Sequence, residues 1–440
     1  EQRSTSQDPV GFASKQQSRA ANPAASAWVD ASAGSGKTKV LIDRVLRLLL
    51  AGVPAQRILC LTFTKAAAAN MAVRLTGELG KWATLQNSAL QEKIHKLTGV
   101  VPEAETVAHA RRLFAATLDA PGGLQFQTIH SFCQSLLARF PLEANVPVGF
   151  NVLEDRQSQA LLMEARRGLL NRATQQPESE LAQALTCLLE TFAGDDFAKL
   201  ENEIVAQRGI LEAQLAGKQG FALAALPSVL GLAEDEDEAS VVRAFCSDER
   251  HDIALLTATA QALITDGGKT NSERGTVLAN WLAKDVHGRT MLLDEFTSVF
   301  LTNEGDIRAA ICTKKFGEAN PDMADLLHSE AEQLLRLLET RRAARTARTS
   351  RAVIIYAAEL LGSYHHLKAE RLALDYDDLI MAAARLVTAE RASWVLYKLD
   401  GGIDHVLVDE AQDTNERQWQ LIEALTSEFF SGEGAREYNP

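Results

Sequence analysis

Residues 31–38, with the sequence ASAGSGKT, carry the residue types that a phosphate-binding loop needs. Glycines have no Cβ, so the backbone can turn tightly around an anion and point its N–H groups at it. A lysine at position 37 reaches the β- and γ-phosphates of a nucleotide, and a threonine hydroxyl at position 38 is a ligand for Mg²⁺. We therefore predict ATP and Mg²⁺ as cofactors. The predicted loop contacts are Ala33, Gly34, Ser35, Gly36, Lys37 and Thr38.

The flanks of this loop favour the same interpretation. The apolar residues Ala27-Trp-Val29 predict a short strand, and Val40–Leu50 predict a helix. Strand, glycine-rich turn and helix is the context that a phosphate-binding loop requires. The alternative is a chance Gly/Ser turn before a helix, and the first motif position is Ala31 rather than glycine.

An acidic pair near the other end of the sequence supplies the second candidate site. Asp409 and Glu410 follow residues 403–408, IDHVLV, which predict a buried parallel strand. Carboxylates at the carboxyl end of such a strand suit Mg²⁺ chemistry: Asp409 would hold the ion through water, and Glu410 would deprotonate the attacking water. The alternative is an acidic helix N-terminus. The upstream loop favours the catalytic interpretation.

The elements that must position these residues form an α/β pattern. Residues 57–64 predict a buried parallel strand, followed by an alanine-rich helix from residue 65 to 75. Residues 86–119 have helical spacing, 124–127 predict a strand, and 128–140 predict a helix with Thr128 as its N-cap. The fold class is therefore α/β, with a parallel sheet flanked by helices in the manner of a RecA-like P-loop NTPase.

The middle of the chain differs in character. From residue 155, leucine and alanine recur at helical spacing and strand signals almost vanish. The acidic run 234–238 predicts a solvated loop. We therefore predict three segments: 1–154 as the first part of the α/β domain, 155–370 as an all-helical inserted domain, and 371–440 as the return of the α/β domain, which the family resemblance described below implies to be a first motor domain.

Composition limits the class of protein. With 440 residues, 46% of them hydrophobic, the chain is long enough for two or more folded domains. No apolar run reaches the length of a membrane span, so no membrane association is predicted. Five widely spaced cysteines argue against a disulfide framework and for the cytoplasm. A net charge of −13 argues against non-specific coating of nucleic acid, although a local basic groove remains compatible with it.

Five segments, in this order, resemble the motifs of the UvrD/Rep-type superfamily 1 helicases. They are ASAGSGKT at 31–38, LTFTKAAA at 61–68, QTIHSFC at 127–133, LDYDDL at 374–379 and VDEAQDT at 408–414. An alanine at the first loop position is common in that family. The sequence around the motifs, such as PAASAWV and RFPLEA, is most similar to the AddA-type subunit of bacterial recombination helicase–nucleases.

The resemblance implies roles at matching positions. Gln17 would bind adenine, and Gln412 would couple the γ-phosphate site to the rest of the motor. Single-stranded DNA contacts are implied for Thr62, Phe63, Thr64, Lys65, Thr128, His130 and Ser131. Without the resemblance, Phe63 would more often be a core residue, and His130 a core or helix-terminal histidine. No chemistry is assigned to Asp375, Asp377 or Asp378.

Two departures from the family pattern bear on function. Asn70 stands where the family usually has glutamate. No segment resembling the later motifs follows residue 414, so we expect this chain to be the N-terminal portion of a longer protein. The resemblance implies that protein to be a DNA helicase of double-strand break repair, acting with an AddB-type subunit. We expect this chain to bind nucleotide and to hydrolyse it slowly, because the arginines of a second motor domain would be needed.

Two other functions are compatible with parts of the pattern. A nucleotide-binding module that acts only in assembly with a partner would show nucleotide-dependent binding to that partner and no DNA effect. A non-helicase P-loop ATPase, such as a transport ATPase, is disfavoured by the TFTKAAA segment at 62–68.

A basic run in the helical middle has two interpretations. Arg341, Arg345 and Arg348 share one face of a predicted helix, within a run that also holds Arg336, Arg342 and Arg351. Such a row could follow the phosphates of duplex DNA. The alternative is a solvated face with salt bridges to acids such as Glu332 and Glu339.

Overall fold

The chain forms two compact units, which are described separately. The computed structural model describes residues 9–32, 34, 36–120, 123–215, 219–234, 236–266, 268–388, 395, 398 and 403–426. The sheet unit comprises residues 1–160 and 368–440, and the helical unit comprises residues 161–367.

The sheet unit contains a small parallel sheet and the helices around it. Its helices are α1 Pro9–Ala20, α2 Lys37–Leu50, α3 Lys65–Thr84, α4 Asn87–Thr98, α5 Ala104–Asp119, α6 Ile129–Arg139, α19 Tyr376–Thr388 and α20 Glu416–Thr426. Its strands are β1 Ile58–Thr62, β2 Gln125–Thr128, β3 Asn151–Val152, β4 Ala373–Leu374 and β5 His405–Val408. Helix α7, Asp155–Gln175, begins in this unit and helix α18, Pro321–Glu370, ends in it.

The central sheet has the order β2-β1-β5, and both pairings are parallel. Every residue of β1 is buried, as its unbroken apolar run predicts. Leu59 and Leu61 pack with α6, α19 and α20 on one face, whereas Ile58 and Cys60 pack with α2 to α5 on the other. Because the strands are parallel, their carboxyl ends meet at one edge.

The strand predicted at residues 27–29 is wrong. Within the described residues this segment belongs to no strand, and its Trp28 side chain is 75% exposed. Apolar residue type alone predicted a buried strand there, but burial depends on a neighbouring strand that those residues do not pair with. A second, two-stranded parallel sheet was not predicted: β3 pairs with β4, far away in sequence.

Local signals elsewhere predicted the elements well. Helix α6 begins after Thr128, whose side chain accepts a 3.1 Å hydrogen bond from the Ser131 N–H, so the predicted N-cap is confirmed. The helical stretch 86–119 is two helices, separated where Gly99 adopts φ 81°. The helix predicted at 415–430 is observed as α20, and its last four positions lie outside the described residues.

The described residues of the helical unit form α-helices joined by loops, with a short 3₁₀ helix at Asp248–Arg250 and one isolated bridge between Leu301 and Ile307. Its helices, besides parts of α7 and α18, are α8 Glu180–Thr191, α9 Asp195–Ala206, α10 Arg208–Leu215, α11 Gln219–Val229, α12 Glu238–Phe245, α13 Ile253–Thr265, α14 Lys269–Leu282, α15 Val286–Met291, α16 Leu293–Phe300 and α17 Lys314–Ala319. Trp281 and Phe296 stack at 4.2 Å in its core. Among the described helices of the chain, none combines the length and apolarity needed to cross a membrane.

Candidate functional site

The loop at residues 31–38 has the backbone of an anion-binding turn. Gly34 and Gly36 adopt φ values of 79° and 89°, which side chains other than glycine rarely tolerate. Gly36 is the residue before α2 and gives that helix no side-chain cap. The partial positive charge of the α2 N-terminus therefore faces the loop. The predicted contacts Ala33 and Ser35 lie outside the described residues.

Lys37 is the first residue of α2, and its side chain folds back over the loop. Its Nζ donates a 3.0 Å hydrogen bond to the carbonyl oxygen of Ala31. The ammonium is thus held at the mouth of the turn, one rotamer change away from an anion bound there. Thr38 follows it in the first helical turn and is half-buried.

Gln17 on α1 lies against the same loop. A Cβ placed on Gly36 would come within 3.1 Å of the Gln17 Nε2 atom. The positive φ is the reason that residue 36 favours glycine, and a Cβ there would also require the Gln17 side chain to shift slightly. The structure therefore brings Gln17 and the glycine-rich turn together, although nearly twenty residues separate them in the sequence.

The acidic pair lies at the carboxyl edge of the sheet, directly after β5. The Asp409 N–H donates a 2.8 Å hydrogen bond to the Leu61 carbonyl and so extends the ladder between β5 and β1. Burial raises the pKa of the Asp409 carboxyl, and the neighbouring Glu410 charge raises this pKa further. The positive charge of Lys37 lowers this pKa, in opposition to those two causes.

Glu410 has a strained backbone. Its φ of 54° and ψ of 43° are left-handed values, which cost a non-glycine residue about 1 kcal/mol or more. Its carboxylate accepts a hydrogen bond from the Nε2 of Gln412, and its N–H donates to Asp409 Oδ1 at 3.1 Å. Such strain is concentrated at functional sites. The turn directs an exposed carboxylate away from the strand, supported by Gln412.

The predicted metal ligands, Thr38 and Asp409, suit Mg²⁺. Asp409 is half-buried beside a second carboxylate, and a hard cation would relieve that repulsion. Mg²⁺ in proteins usually takes only one or two protein ligands and completes its shell with phosphate and water. The described residues contain no cluster of three or more His, Cys, Asp or Glu side chains arranged to hold a metal without such help.

The segment after β1 lies at the same edge. Phe63 is 46% exposed and Lys65 is exposed, so both side chains are accessible to a ligand. Thr64 caps α3, because its Oγ1 accepts a 3.1 Å hydrogen bond from the Ala67 N–H. Thr62 is only 1% exposed, and its hydroxyl donates to the Thr64 carbonyl at 3.0 Å. Thr62 thus shapes the turn instead of presenting its hydroxyl to solvent.

The segment after β2 contributes the N-terminus of α6. Thr128 is buried as the N-cap, and its Oγ1 lies 2.9 Å from the Ser131 Oγ. His130 is half-buried, with its ring centroid 4.8 Å from that of Tyr376. Burial lowers the pKa of His130, whereas Asp377 and Asp155 oppose the shift.

The basic run of α18 is largely paired with acids of the helical unit. Arg341 and Arg345 each contact Glu238 Oε1 at 2.7 Å. The remaining pairs are Arg336–Glu332, Arg348–Glu190 and Arg351–Glu180. Glu238 was predicted to lie in a solvated loop and instead begins α12 as the partner of two arginines. The salt-bridge interpretation is therefore the one these contacts favour.

Sequence reasoning missed three buried charges in the sheet unit. Lys368, Asp375 and Asp378 are 3%, 3% and 7% exposed and hydrogen-bond to one another. The spacing of Asp375 and Asp378 is that of a capping box, which is a signal readable in the sequence. The lysine partner is not readable there, because only folding brings it to them.

Comparison with known proteins agrees with this arrangement. Residues 13–430 match the family described as the UvrD/REP helicase N-terminal domain, so the chain belongs to that family. The family predicted from the motifs is thereby confirmed.

The chain is also similar to curated proteins named as the A subunit of an ATP-dependent helicase/nuclease. It is 25% identical over 93% of its length to that of Lactobacillus gasseri, and 26% identical over 90% to that of Levilactobacillus brevis. These matches cover 34% and 32% of the two relatives, so the chain spans about a third of their length. A Listeria monocytogenes relative is 32% identical over 38% of the chain and 12% of its own length.

Proposed function

We propose that this chain is the nucleotide-binding part of an ATP-dependent DNA helicase, with the sheet unit as its first motor domain. In this proposal the sheet is of the RecA-like P-loop class, and residues 155–370 form a helical inserted domain. The observation that carries the proposal is the position of the acidic pair at the carboxyl edge of a parallel sheet, where the Asp409 N–H donates a 2.8 Å hydrogen bond to the Leu61 carbonyl at the end of β1. That edge is where open α/β sheets bind nucleotides.

The loop and the acidic pair have complementary roles in ATP binding and hydrolysis. Lys37 binds the β- and γ-phosphates, and the N–H groups at the start of α2 contact the same anion. Thr38 and Asp409 would hold Mg²⁺, which when bound neutralises phosphate charge. Glu410 accepts the proton of the attacking water, and Gln412 keeps that carboxylate oriented. Gln17, which lies against Gly36, binds the adenine.

Slow hydrolysis by this chain is part of the proposal. Among the described residues, the charged side chains that shift the pKa of Asp409 are Glu410 and Lys37, and neither is an arginine. An arginine that stabilises the transition-state charge raises turnover by about 10³–10⁵. We therefore expect binding to be much easier to observe than turnover.

The DNA path follows the residues after β1 and β2. Phe63 offers an exposed ring for base stacking, and Lys65 offers a charge for phosphate. Thr64, His130 and Ser131 line the same carboxyl edge, supported from beneath by the buried hydroxyls of Thr62 and Thr128. Single-stranded DNA is the proposed ligand of this edge.

The parent function is proposed from the relatives' names. Those names describe one subunit of a helicase/nuclease, so we propose an AddB-type partner and a role in double-strand break repair, in which duplex DNA is the substrate to be opened. The five cysteines are free thiols, which suits the cytoplasm.

An alternative is a nucleotide-binding module that acts only with its partner. It is favoured by the burial of Thr62 and Thr128, which are two of the proposed DNA residues. Under this alternative, DNA affinity would be weak and independent of Phe63.

Two titrations test the proposal. We expect the chain to bind a fluorescent ATP analogue with Mg²⁺, and to bind a single-stranded oligonucleotide with an affinity that falls in Phe63→Ala and Lys65→Ala. Leu118→Ala is the matched control, because Leu118 is another exposed apolar residue, on α5, at 62% exposure. Unchanged DNA affinity in both test variants would favour the alternative.

A further inference from the structure

Three buried charged side chains join the end of α18 to the start of α19. The Lys368 Nζ lies 3.1 Å from Asp375 Oδ2 and 2.5 Å from Asp378 Oδ2. All three residues are less than 10% exposed. Charges this deeply buried are costly unless they are paired and hydrogen-bonded, which is the case here.

The two carboxylates also cap α19 reciprocally. The Asp378 N–H donates to Asp375 Oδ1 at 3.0 Å, and the Asp375 N–H donates to Asp378 Oδ2 at 3.0 Å. This is the geometry of a capping box, with both carboxylates bridged in addition by one ammonium. Two hydrogen bonds from Lys368 therefore tie the start of α19 to the last turn of α18, and two more between Asp375 and Asp378 close the cap itself.

Tyr376 lies between the two capping carboxylates in the sequence, and its ring packs on that of His130. Tyr376 follows Asp375 directly, so its backbone position is set by the capped turn. The centroids of the two rings are 4.8 Å apart and their planes are inclined by 57°. The His130 ring is thus packed against the first residue of the capped helix α19.

We infer that Lys368 is a positioning residue of the proposed DNA site, acting through Asp375 and Asp378 to hold Tyr376 against His130. The inference rests on the proposed DNA function of His130. Replacing a buried ion pair by apolar residues of similar volume is often neutral or stabilising, so we assign this network a geometric role in place of a stabilising one. Lys368 itself touches neither nucleotide nor DNA.

The test is a double-mutant cycle on single-stranded DNA affinity. We compare Lys368→Met in the wild-type chain and in the His130→Ala chain. The expected loss is about tenfold in the wild-type background, within the range for residues coupled in one network. In the His130→Ala background the loss should nearly vanish. Affinity for a fluorescent ATP analogue should change less than about twofold in either background.

Arg57→Met is the matched control. It removes an ion-pair partner of another buried carboxylate, Asp404. The Arg57 Nη1 lies 3.2 Å from the Asp404 Oδ2, and Asp404 is 2% exposed. This pair precedes β1 and β5, at the sheet edge opposite His130. Its effect on DNA affinity should be the same with and without His130.

If Lys368→Met does not fold, a triple variant in which all three buried charges are removed is measured in its place. Lys368→Met/Asp375→Asn/Asp378→Asn keeps the capping acceptors and removes all three charges. We expect it to fold and to lose the same DNA affinity as Lys368→Met. Wild-type affinity in this variant would overturn the inference.

The outcomes separate the two proposals. If the wild-type chain binds DNA and His130→Ala weakens binding, but Lys368→Met has no effect or an equal effect in both backgrounds, the inference about Lys368 fails and the DNA site remains. If the wild-type chain does not bind DNA, or His130→Ala changes nothing, the DNA role of His130 fails and the inference fails with it.

Discussion

The ammonium of Lys37 donates a 3.0 Å hydrogen bond to the carbonyl oxygen of Ala31, the first residue of the proposed phosphate-binding loop. A phosphate in the loop would compete for the same ammonium with a full negative charge. Hydrogen bonds between charged groups are roughly twice as strong as neutral ones. Nucleotide binding is therefore expected to break this bond.

The first prediction is that Lys37→Ala loses nucleotide affinity without loss of fold. Removing a charge-assisted contact worth about 1.5–3 kcal/mol should weaken binding roughly 10–100-fold. Titration with a fluorescent ATP analogue measures this. The control is Lys39→Ala, two residues along α2, because the Lys39 side chain is 65% exposed and pairs with Asp43. Equal affinities of the wild type and Lys37→Ala would remove the phosphate role of Lys37.

A second prediction separates binding from hydrolysis at Glu410. Glu410→Gln keeps the shape of the side chain but cannot accept the proton, so single-turnover hydrolysis with excess protein should slow about 10²–10⁴-fold. Nucleotide affinity should stay within a few-fold. Asp413→Asn, in the same turn, is the control and should leave the rate unchanged. A rate within a few-fold of wild type in Glu410→Gln would show that another group is the base.

The third prediction concerns the tryptophan beside the loop. Trp28 is 75% exposed, lies three residues before Ala31, and has its ring centroid 5.8 Å from that of Trp419 on α20. Release of the Ala31 carbonyl by Lys37 should disturb this ring pair, so nucleotide should change tryptophan fluorescence. Trp28→Phe should remove most of the change, whereas Trp82→Phe, buried in α3, should not. The same change in Trp28→Phe as in wild type would contradict the prediction.

The fourth prediction concerns the arginine row of α18. Because Arg341, Arg345 and Arg348 are engaged by Glu238 and Glu190, their joint replacement by alanine should leave the salt dependence of DNA binding unchanged. Lys65→Ala should flatten the slope by roughly one unit. A salt series of DNA affinity measures both. A slope flattened by about two or more units in the triple variant would instead support phosphate contacts by the row.

The fifth prediction is a pH dependence of the helical unit. Hydrogen bonds from Arg345 and then Arg341 lower the pKa of Glu238 to about 2. A depressed carboxyl pKa stabilises the fold above the unfolded pKa of about 4, and this stabilisation is lost as the pH falls from about 4 to 2. Glu238→Gln should therefore be less stable than wild type at pH 7, by about 1 kcal/mol for partly exposed pairs.

Chemical denaturation of both proteins at pH 7 and near pH 2 checks this difference. Asp248→Asn is a useful comparison, since Asp248 also pairs with an arginine of the helical unit, Arg289, at 2.6 Å. An equal difference between Glu238→Gln and wild type at both pH values would show that the charge of Glu238 does not stabilise the unit.

Much of the fold near the site was predictable because its signals are local. The positive φ at position 36 favours glycine regardless of the tertiary surroundings. Thr128 caps α6 by accepting from an N–H only three residues away. The continuous apolar run of β1 indicated burial on both faces of the sheet. Leu59 packs on one face and Cys60 on the other, which confirms it. The Ala27–Val29 strand failed because its evidence was residue type without a pairing partner.

The sequence by itself determined the loop, the acidic turn, the helix caps and the family, since each depends on residues within a few positions of one another. Only the tertiary structure decided which distant charges meet. The pairs Glu238 with Arg341 and Arg345, and Arg57 with Asp404, are separated by about 100 residues or more. Lys368 is close in sequence to Asp375 and Asp378, yet its burial with them depends on how the segment packs. Partner choice among many similar charged side chains is set by the packing of helices and strands, which residue type and spacing do not specify.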